Sequence, residues 1–265
     1  MQDYGNWRVI GDAVAGASHR QRGLPCQDAL YWELLPNGAL ALAVADGAGS
    51  ASHAEIGAFL TVHAAVDAVA RSCAEHGLPQ DMAWHELART AFREALAAVN
   101  SEADARIIPA RELASTLILV IAHRQGIAAA QVGDGAAVAE VDGAIILLTA
   151  PQSGEYLNET TFLTSPGAIE TAQIHVLLGR VNHVALFTDG LQHLALTLPH
   201  CRPHAPFFLP LFRFLENRPD PTEAGSELRA FLSSARVQEK TDDDVSLALA
   251  SFVSDTISDA ETSSR

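Results

Sequence analysis

Two rhythms divide the apolar positions along this chain. At residues 39–45 the sequence reads ALALAVA, an unbroken apolar run long enough for a strand buried on both faces. Runs at 115–123, 127–132, 136–141, 144–148, 184–188 and 245–252 predict further strands, and 7–17, 29–35 and 169–178 complete the set. Elsewhere the period becomes that of a helix. Between 54 and 76 the apolar residues include Ile56, Phe59, Leu60, Ala64, Val66 and Val69, and a second stripe of Trp84, Leu87, Phe92, Leu96 and Val99 runs through 81–103. Ser52, with Glu55 three residues on, predicts a capping box at the start of the first helix, and Gly77-Leu78-Pro79 predicts its end. Segments 207–217 and 222–235 also read as helices.

Adjacent long helices followed by a series of strands, with no strand–helix alternation, indicate an α+β fold. The strands from 115 to 148 are joined by short turns and read as one antiparallel meander. Residues 18–28 (SHRQRGLPCQD) read as a polar loop, 149–168 as a long loop of the kind that is usually functional, and 192–206 as an irregular His- and Pro-rich piece. No linker interrupts residues 1–253, which are expected to form a single domain; the Ser/Asp/Thr/Glu-rich tail 254–265 is expected to be disordered.

Several strands end or begin on an acid. Residues 39–45 run into Asp46-Gly47, 127–132 into Gly133-Asp134-Gly135, and 184–188 into Asp189-Gly190, while Asp242, Asp243 and Asp244 immediately precede 245–252. A single Asp-Gly is ordinarily a hairpin turn, and Asp142-Gly143 between two short strands is read that way. Four acids at strand edges are different. If the strands lie side by side, the carboxylates converge, and such a cluster needs protons or bound cations. Oxygen ligands without His or Cys suit magnesium, manganese or calcium. His63, His76 and His85, on the predicted helices, are read as packing or surface residues.

Composition narrows the classes. A net charge of −15 argues against a nucleic-acid or anionic-membrane surface. Cys26, Cys73 and Cys201 are widely spaced and form no CxxC pair, which argues against a disulfide framework or a structural zinc and fits a reducing, cytoplasmic setting. The first residues have neither the basic nor the apolar region of a signal peptide, and no run of uninterrupted apolar residues is long enough to span a bilayer.

The ordered series QDA, AVADGAGSA, LASTLILVI, QVGDG, LFTDG and TDDDVSLAL resembles the metal-dependent serine/threonine protein phosphatases of the type 2C (PPM) family, nearest to their compact bacterial branch. The resemblance implies a four-layer α-β-β-α sandwich, two mostly antiparallel sheets flanked by helix pairs, with two manganese or magnesium ions where the sheets meet. Asp46 matches the acid that bridges the ions, with the Gly47 carbonyl beside it. Asp189 and Asp243 match the acids that hold the first ion, Asp243 being the acid of the family's C-terminal D-N pair. Asp134, with Asp189, matches a weaker third-ion position, and Asp28 the second acid of the family's ED pair. The implied reaction is hydrolysis of phosphoserine and phosphothreonine on proteins by a metal-activated water, opposing a bacterial Ser/Thr kinase.

Three positions depart from the family. Gln27 stands where the ED pair has its glutamate, although as a residue in its own right it is equally a loop-capping amide. Gly23 replaces the phosphate-binding arginine, leaving Arg20, Arg22 and His19 as candidate phosphate contacts, or the two arginines as solvated loop charges. Ala48 replaces a histidine often assigned as general acid, and His53 is too far along to substitute directly. Glu155, Tyr156, Asn158 and Glu159 fall where the family has a substrate flap. The alternatives to an active phosphatase are a catalytically weak or inactive binding module and a different metallohydrolase; the second would ordinarily place His beside the carboxylates.

Overall fold

The computed structural model describes residues 7–78, 83–152 and 160–253. From the N-terminus the elements are strand β1 (Trp7–Val14), helix α1 (Ala17–Arg22), β2 (Ala29–Leu35), β3 (Ala39–Ala45), α2 (Ala54–His76), α3 (Ala83–Arg106), β4 (Leu117–His123), β5 (Gly126–Val132), β6 (Ala136–Val141) and β7 (Ala144–Thr149). There follow α4 (Ala168–Thr171), β8 (Gln173–Leu178), β9 (Val181–Phe187), α5 (Gln192–Ala195), a small ladder of β10 (Leu196–Thr197) and β11 (Arg202–Pro203), α6 (Ala205–Asn217), α7 (Pro221–Leu232), α8 (Ala235–Gln238) and β12 (Val245–Phe252).

Two five-stranded sheets, β1-β12-β9-β6-β7 and β2-β3-β4-β5-β8, pair antiparallel throughout. Side-chain size along each strand decides which face meets which layer, because successive residues point to opposite sides. In β3 the small Ala39, Ala41, Ala43 and Ala45 pack under α2 and α3, together with Val62, Val66, Trp84 and Phe92. The larger Leu40, Leu42 and Val44 face the other sheet, against Val184, Leu186, Ala248 and Ala250. On the far side, Val245, Leu247, Leu249 and Phe187 meet Phe208, Phe212 and Leu215 of α6 and Leu228 and Leu232 of α7. The order is therefore helix, sheet, sheet, helix, with three apolar interfaces. By length and composition α2 could cross a bilayer; its apolar side, Ala58, Val62, Ala65, Val66 and Val69, is instead buried in the first of these interfaces.

Register fixes where the strand ends go. Ala29 at the start of β2 lies opposite Ala45 at the end of β3, and Val132 at the end of β5 opposite Leu117 at the start of β4. In the other sheet Phe187, closing β9, is opposite both Leu247 near the start of β12 and Ala136 at the start of β6. Every acid singled out at a strand edge consequently falls at the same pole of the sandwich.

Several local expectations are corrected. The meander breaks at Gly133-Asp134-Gly135: β5 and β6 belong to different sheets, and the chain crosses between them there. Gly133 has φ 113°, and a Cβ on it would lie 2.4 Å from the Thr116 side chain, so the crossing requires glycine. Residues 18–28 are not all loop, since α1 occupies their first part and β1 stops short of it. That helix has no side-chain cap of its own; the Gly16 N–H before its first turn donates 2.8 Å to Asp244, 228 residues away. Ser52 does not cap α2. His53 precedes that helix without a side-chain cap bond, and the Ser52 N–H and hydroxyl both donate to Glu112. The strand expected over 169–178 opens with α4, the irregular 192–206 holds α5 and the β10–β11 ladder, and the last helix divides into α7 and α8. The turn at Asp142-Gly143 forms as read, both residues at positive φ. The expected flap residues Glu155, Tyr156, Asn158 and Glu159, the expected tail and the first residues of the helix expected from 81 lie outside the described residues.

Gln131, fully buried in β5, pins the crossing. Its amide nitrogen donates to the carbonyls of Gly133, Gly135 and Ala150, and its oxygen accepts from the Thr149 hydroxyl. Gln131→Leu leaves these buried groups unpaired and is expected to lower the unfolding free energy by about 2–4 kcal/mol, measured by urea denaturation.

Candidate metal centre

The site is assembled from strand ends. Asp46 follows β3, its N–H donating 2.9 Å to Thr116 Oγ1 while its carbonyl accepts 2.8 Å from Thr116 N–H. Gly47 bridges to Ser115, and its N–H donates 3.2 Å to the Gln27 carbonyl. Gln27 and Asp28, both buried, lead into β2. Asp134 sits in the crossing between the sheets, Asp189 follows β9, and Asp243 precedes β12.

Carboxylate oxygens of Asp46, Asp134 and Asp189 all lie within 4.8 Å of one another. Asp243 stands outside this trio: it is exposed, and its Oδ1 accepts 2.9 Å from the N–H of Asp244. Asp134 is thus drawn in with Asp46 and Asp189, where the resemblance pairs Asp243 with them. Within the trio, Oδ1 of Asp134 and of Asp189, and outside it Oδ1 of Asp28 and Oε1 of Gln27, are buried without a hydrogen-bond partner among the described residues. Buried acceptors are nearly always paired, so four orphaned oxygens in one place call for a donor or a cation. An all-oxygen set fits a hard divalent ion, magnesium or manganese, and the residues present fit such an ion without rearrangement of ligand type.

Electrostatics point the same way. Burial pushes the Asp46 carboxyl well above the ordinary range, and the charges of Asp28, Asp189, Asp243 and Asp134 push it further. Asp28 is raised by burial, against the lowering effect of its 2.8 Å hydrogen bond from Thr188 and with Asp244 and Asp189 adding to the rise. Asp189 is raised from 3.8 to about 7, by burial first and then by Asp134 and Asp243. The chain has gathered like charges into a poorly solvated pole, and a divalent cation is the counter-charge that lets them remain ionised.

Several residues that hold this arrangement escape a sequence reading. Thr188 Oγ1 donates to Asp28 and accepts from the Ser246 N–H, tying the first segment to β12. Thr160 donates 2.5 Å to Asp134 Oδ2, and the Gln192 side chain donates to the Asp134 carbonyl. Asp244, only 2% exposed, accepts from three donors in the β1–β2 connection. The one signal available was polarity inside or beside an apolar run, as at Thr188 and Gln131. Gly190 has a steric reason: a Cβ there would lie 2.1 Å from the Asp244 carbonyl oxygen.

The candidate phosphate contacts are not equivalent. His19 is buried, its Nδ1 2.8 Å from Asp244 Oδ1. The Arg20 guanidinium donates to the Ala15 carbonyl. Arg22 is exposed on the last turn of α1 and makes no hydrogen bond among the described residues. Ala48 is buried, its N–H donating 2.9 Å to the Ala114 carbonyl. His53 lies just before α2.

Comparison with known proteins identifies the family. The family described as Protein phosphatase 2C matches residues 15–233. Serine/threonine-protein phosphatase 3 of Escherichia coli K12 is 36% identical over 253 residues, spanning 92% of this chain and 98% of that protein. Among solved structures, the one described as the S. agalactiae serine/threonine phosphatase superposes with a TM-score of 0.63 at 14% identity, covering 93% of this chain and 100% of that one. The catalytic domain of the serine/threonine protein phosphatase PstP, in complex with two manganese ions, gives a TM-score of 0.61 at 16% identity over 94% and 99% of the two chains. Sequence match and fold together place this chain in the protein phosphatase 2C family.

Proposed function

We propose that this chain is a metal-dependent serine/threonine protein phosphatase in which Asp46, Asp134 and Asp189 hold a divalent ion, manganese or magnesium, with Asp28, Gln27, the Gly47 carbonyl and Asp243 available to a second. The observation that carries the reading is the convergence of the three carboxylates within 4.8 Å, two of them and the neighbouring Asp28 and Gln27 each holding a buried oxygen without a partner among the described residues, in a chain of this family. Held by Asp46, Asp134 and Asp189, a divalent ion would supply charge neutralisation for a phosphoryl group and a lowered pKa for solvent.

The chain's own residues supply placement. Thr188 orients Asp28, Thr116 holds the backbone of Asp46, and Thr160 and Gln192 hold Asp134 from side chain and main chain. Positioning and charge stabilisation are the greater part of what phosphoryl transfer asks of a protein. With Gly23 and Ala48 contributing no charge, Arg22 is the candidate cation for the substrate phosphate, since His19 and Arg20 are already engaged. The inactive-module alternative is not favoured, because the acids are retained and the match to a named phosphatase runs through almost its whole length. The substrates are phosphoproteins, and an opposing Ser/Thr kinase is the partner this activity implies. Three unpaired cysteines fit a reducing, cytoplasmic setting.

Asp46→Asn is expected to lower turnover of p-nitrophenyl phosphate and of a phosphothreonine peptide by about 100-fold or more. EDTA should abolish wild-type activity and manganese restore it; activity that survives the substitution or EDTA contradicts the mechanism. A second expectation follows from Asp189. Its pKa rises from 3.8 to about 7 on folding, so the folded protein binds more protons than the unfolded one between those values. Stability of the metal-free protein therefore falls as pH rises through that window. Its melting temperature should drop by about 5 °C between pH 5.5 and pH 8. Added manganese should raise it more at pH 8 than at pH 5.5, measured by scanning calorimetry.

A further inference from the structure

Asp244 is the most heavily engaged acid at the pole, and none of its work is done by facing the carboxylate trio. Its Oδ1 accepts from the Gly16 N–H and lies 2.8 Å from His19 Nδ1; its Oδ2 accepts 2.6 Å from the Gln27 N–H. Both partners of the side-chain pair are buried, His19 at 9% and Asp244 at 2% side-chain exposure. The main chain of the same residue is equally constrained. Its N–H donates to Asp243 Oδ1, and its carbonyl packs against Gly190, where a Cβ would fall 2.1 Å away.

One residue therefore joins the three segments that carry Gln27 and Asp28, Asp189, and Asp243. A buried carboxylate is tolerated where its oxygens are filled by donors, and three donors converge here. Two of them are backbone N–H groups that cannot turn away. An asparagine at this position could satisfy the Oδ1 side or the Oδ2 side but would direct its amide hydrogens at an N–H on the other. The carboxylate absent from the Gln27 side chain thus sits one hydrogen bond away, on Asp244.

We propose that Asp244, with His19 as its buried partner, is a positioning residue that sets the affinity of the site for its divalent ion by fixing the Gln27–Asp28 segment against Asp189 and Asp243. This inference rests on the function proposed above. Groups that orient metal ligands in this way typically change metal affinity by about 10–100-fold when removed.

The test is isothermal titration of manganese into purified full-length wild type, Asp244→Asn, His19→Leu and His19→Asn, with kcat and KM for p-nitrophenyl phosphate at saturating manganese and melting temperatures alongside. Asp244→Asn and His19→Leu are expected to weaken manganese binding about 10–100-fold. His19→Asn, which keeps a donor near the Nδ1 position, should recover most of that loss. KM should change less than metal affinity. A lowered melting temperature with manganese affinity unchanged would make the pair merely structural and overturn the proposal. Should Asp244→Asn not fold, His19→Leu and His19→Asn decide it, and equal affinity in both and in wild type overturns it. Wild-type protein that binds no manganese and hydrolyses nothing would sink the phosphatase reading itself, a result distinct from a clamp variant behaving as wild type.

Discussion

Mutual repulsion among buried carboxylates is the constraint on which the rest of this molecule turns. Asp28, Asp46, Asp134 and Asp189 come from four separate stretches of chain, and the fold drives them into one poorly hydrated pole. Left alone, such a group relaxes by taking up protons or by moving apart. Here the backbone denies the second route: the acids sit at the ends of strands whose other residues are locked into three apolar interfaces. Proton uptake or charge compensation by a divalent ion remains, and the ion would also supply what metal-dependent hydrolysis at phosphorus uses.

That tension explains why so much polar architecture surrounds the site without belonging to it. Gln131 closes the crossing that carries Asp134, and Thr188 bridges Asp28 to β12. Asp244 ties the β1–β2 connection to the end of the chain. Each is buried, and each makes hydrogen bonds with another segment: Gln131 with Thr149 and Ala150, Thr188 with Asp28 and Ser246, Asp244 with Gly16 and Gln27. Networks of this kind are favourable only when complete, which makes them rigid supports.

The segment that carries the candidate phosphate contacts is built differently from the acids. Family-typical charges are missing at Gly23 and Ala48, and α1, which replaces part of an expected loop, turns His19 inward and leaves Arg22 outside. The acids are held by strands and buried hydrogen bonds, whereas the candidate phosphate cation rides on a six-residue helix whose cap comes from the opposite end of the chain.

Most strands and the two long helices were legible from periodicity, because burial on both faces writes an unbroken apolar run and burial on one side writes a 3.6-residue repeat. The acids were legible too, since Asp-Gly after an apolar strand breaks a strong local pattern at Asp46, Asp134 and Asp189. Three features that the one-dimensional pattern missed share a cause: the stabilising partner lies elsewhere along the chain. α1 depends on Asp244, Ser52 is drawn from α2 to Glu112, and the turn after β5 carries the chain to another sheet because Gln131 and Gly133 meet Ala150 and Thr116. Local propensity determined most of the strands, the two long helices and the acids that follow three of the strands. Only tertiary structure decided that Asp134 would join Asp46 and Asp189 while Asp243 stands aside, because that choice is made by strand register and by contacts between residues with no proximity in sequence.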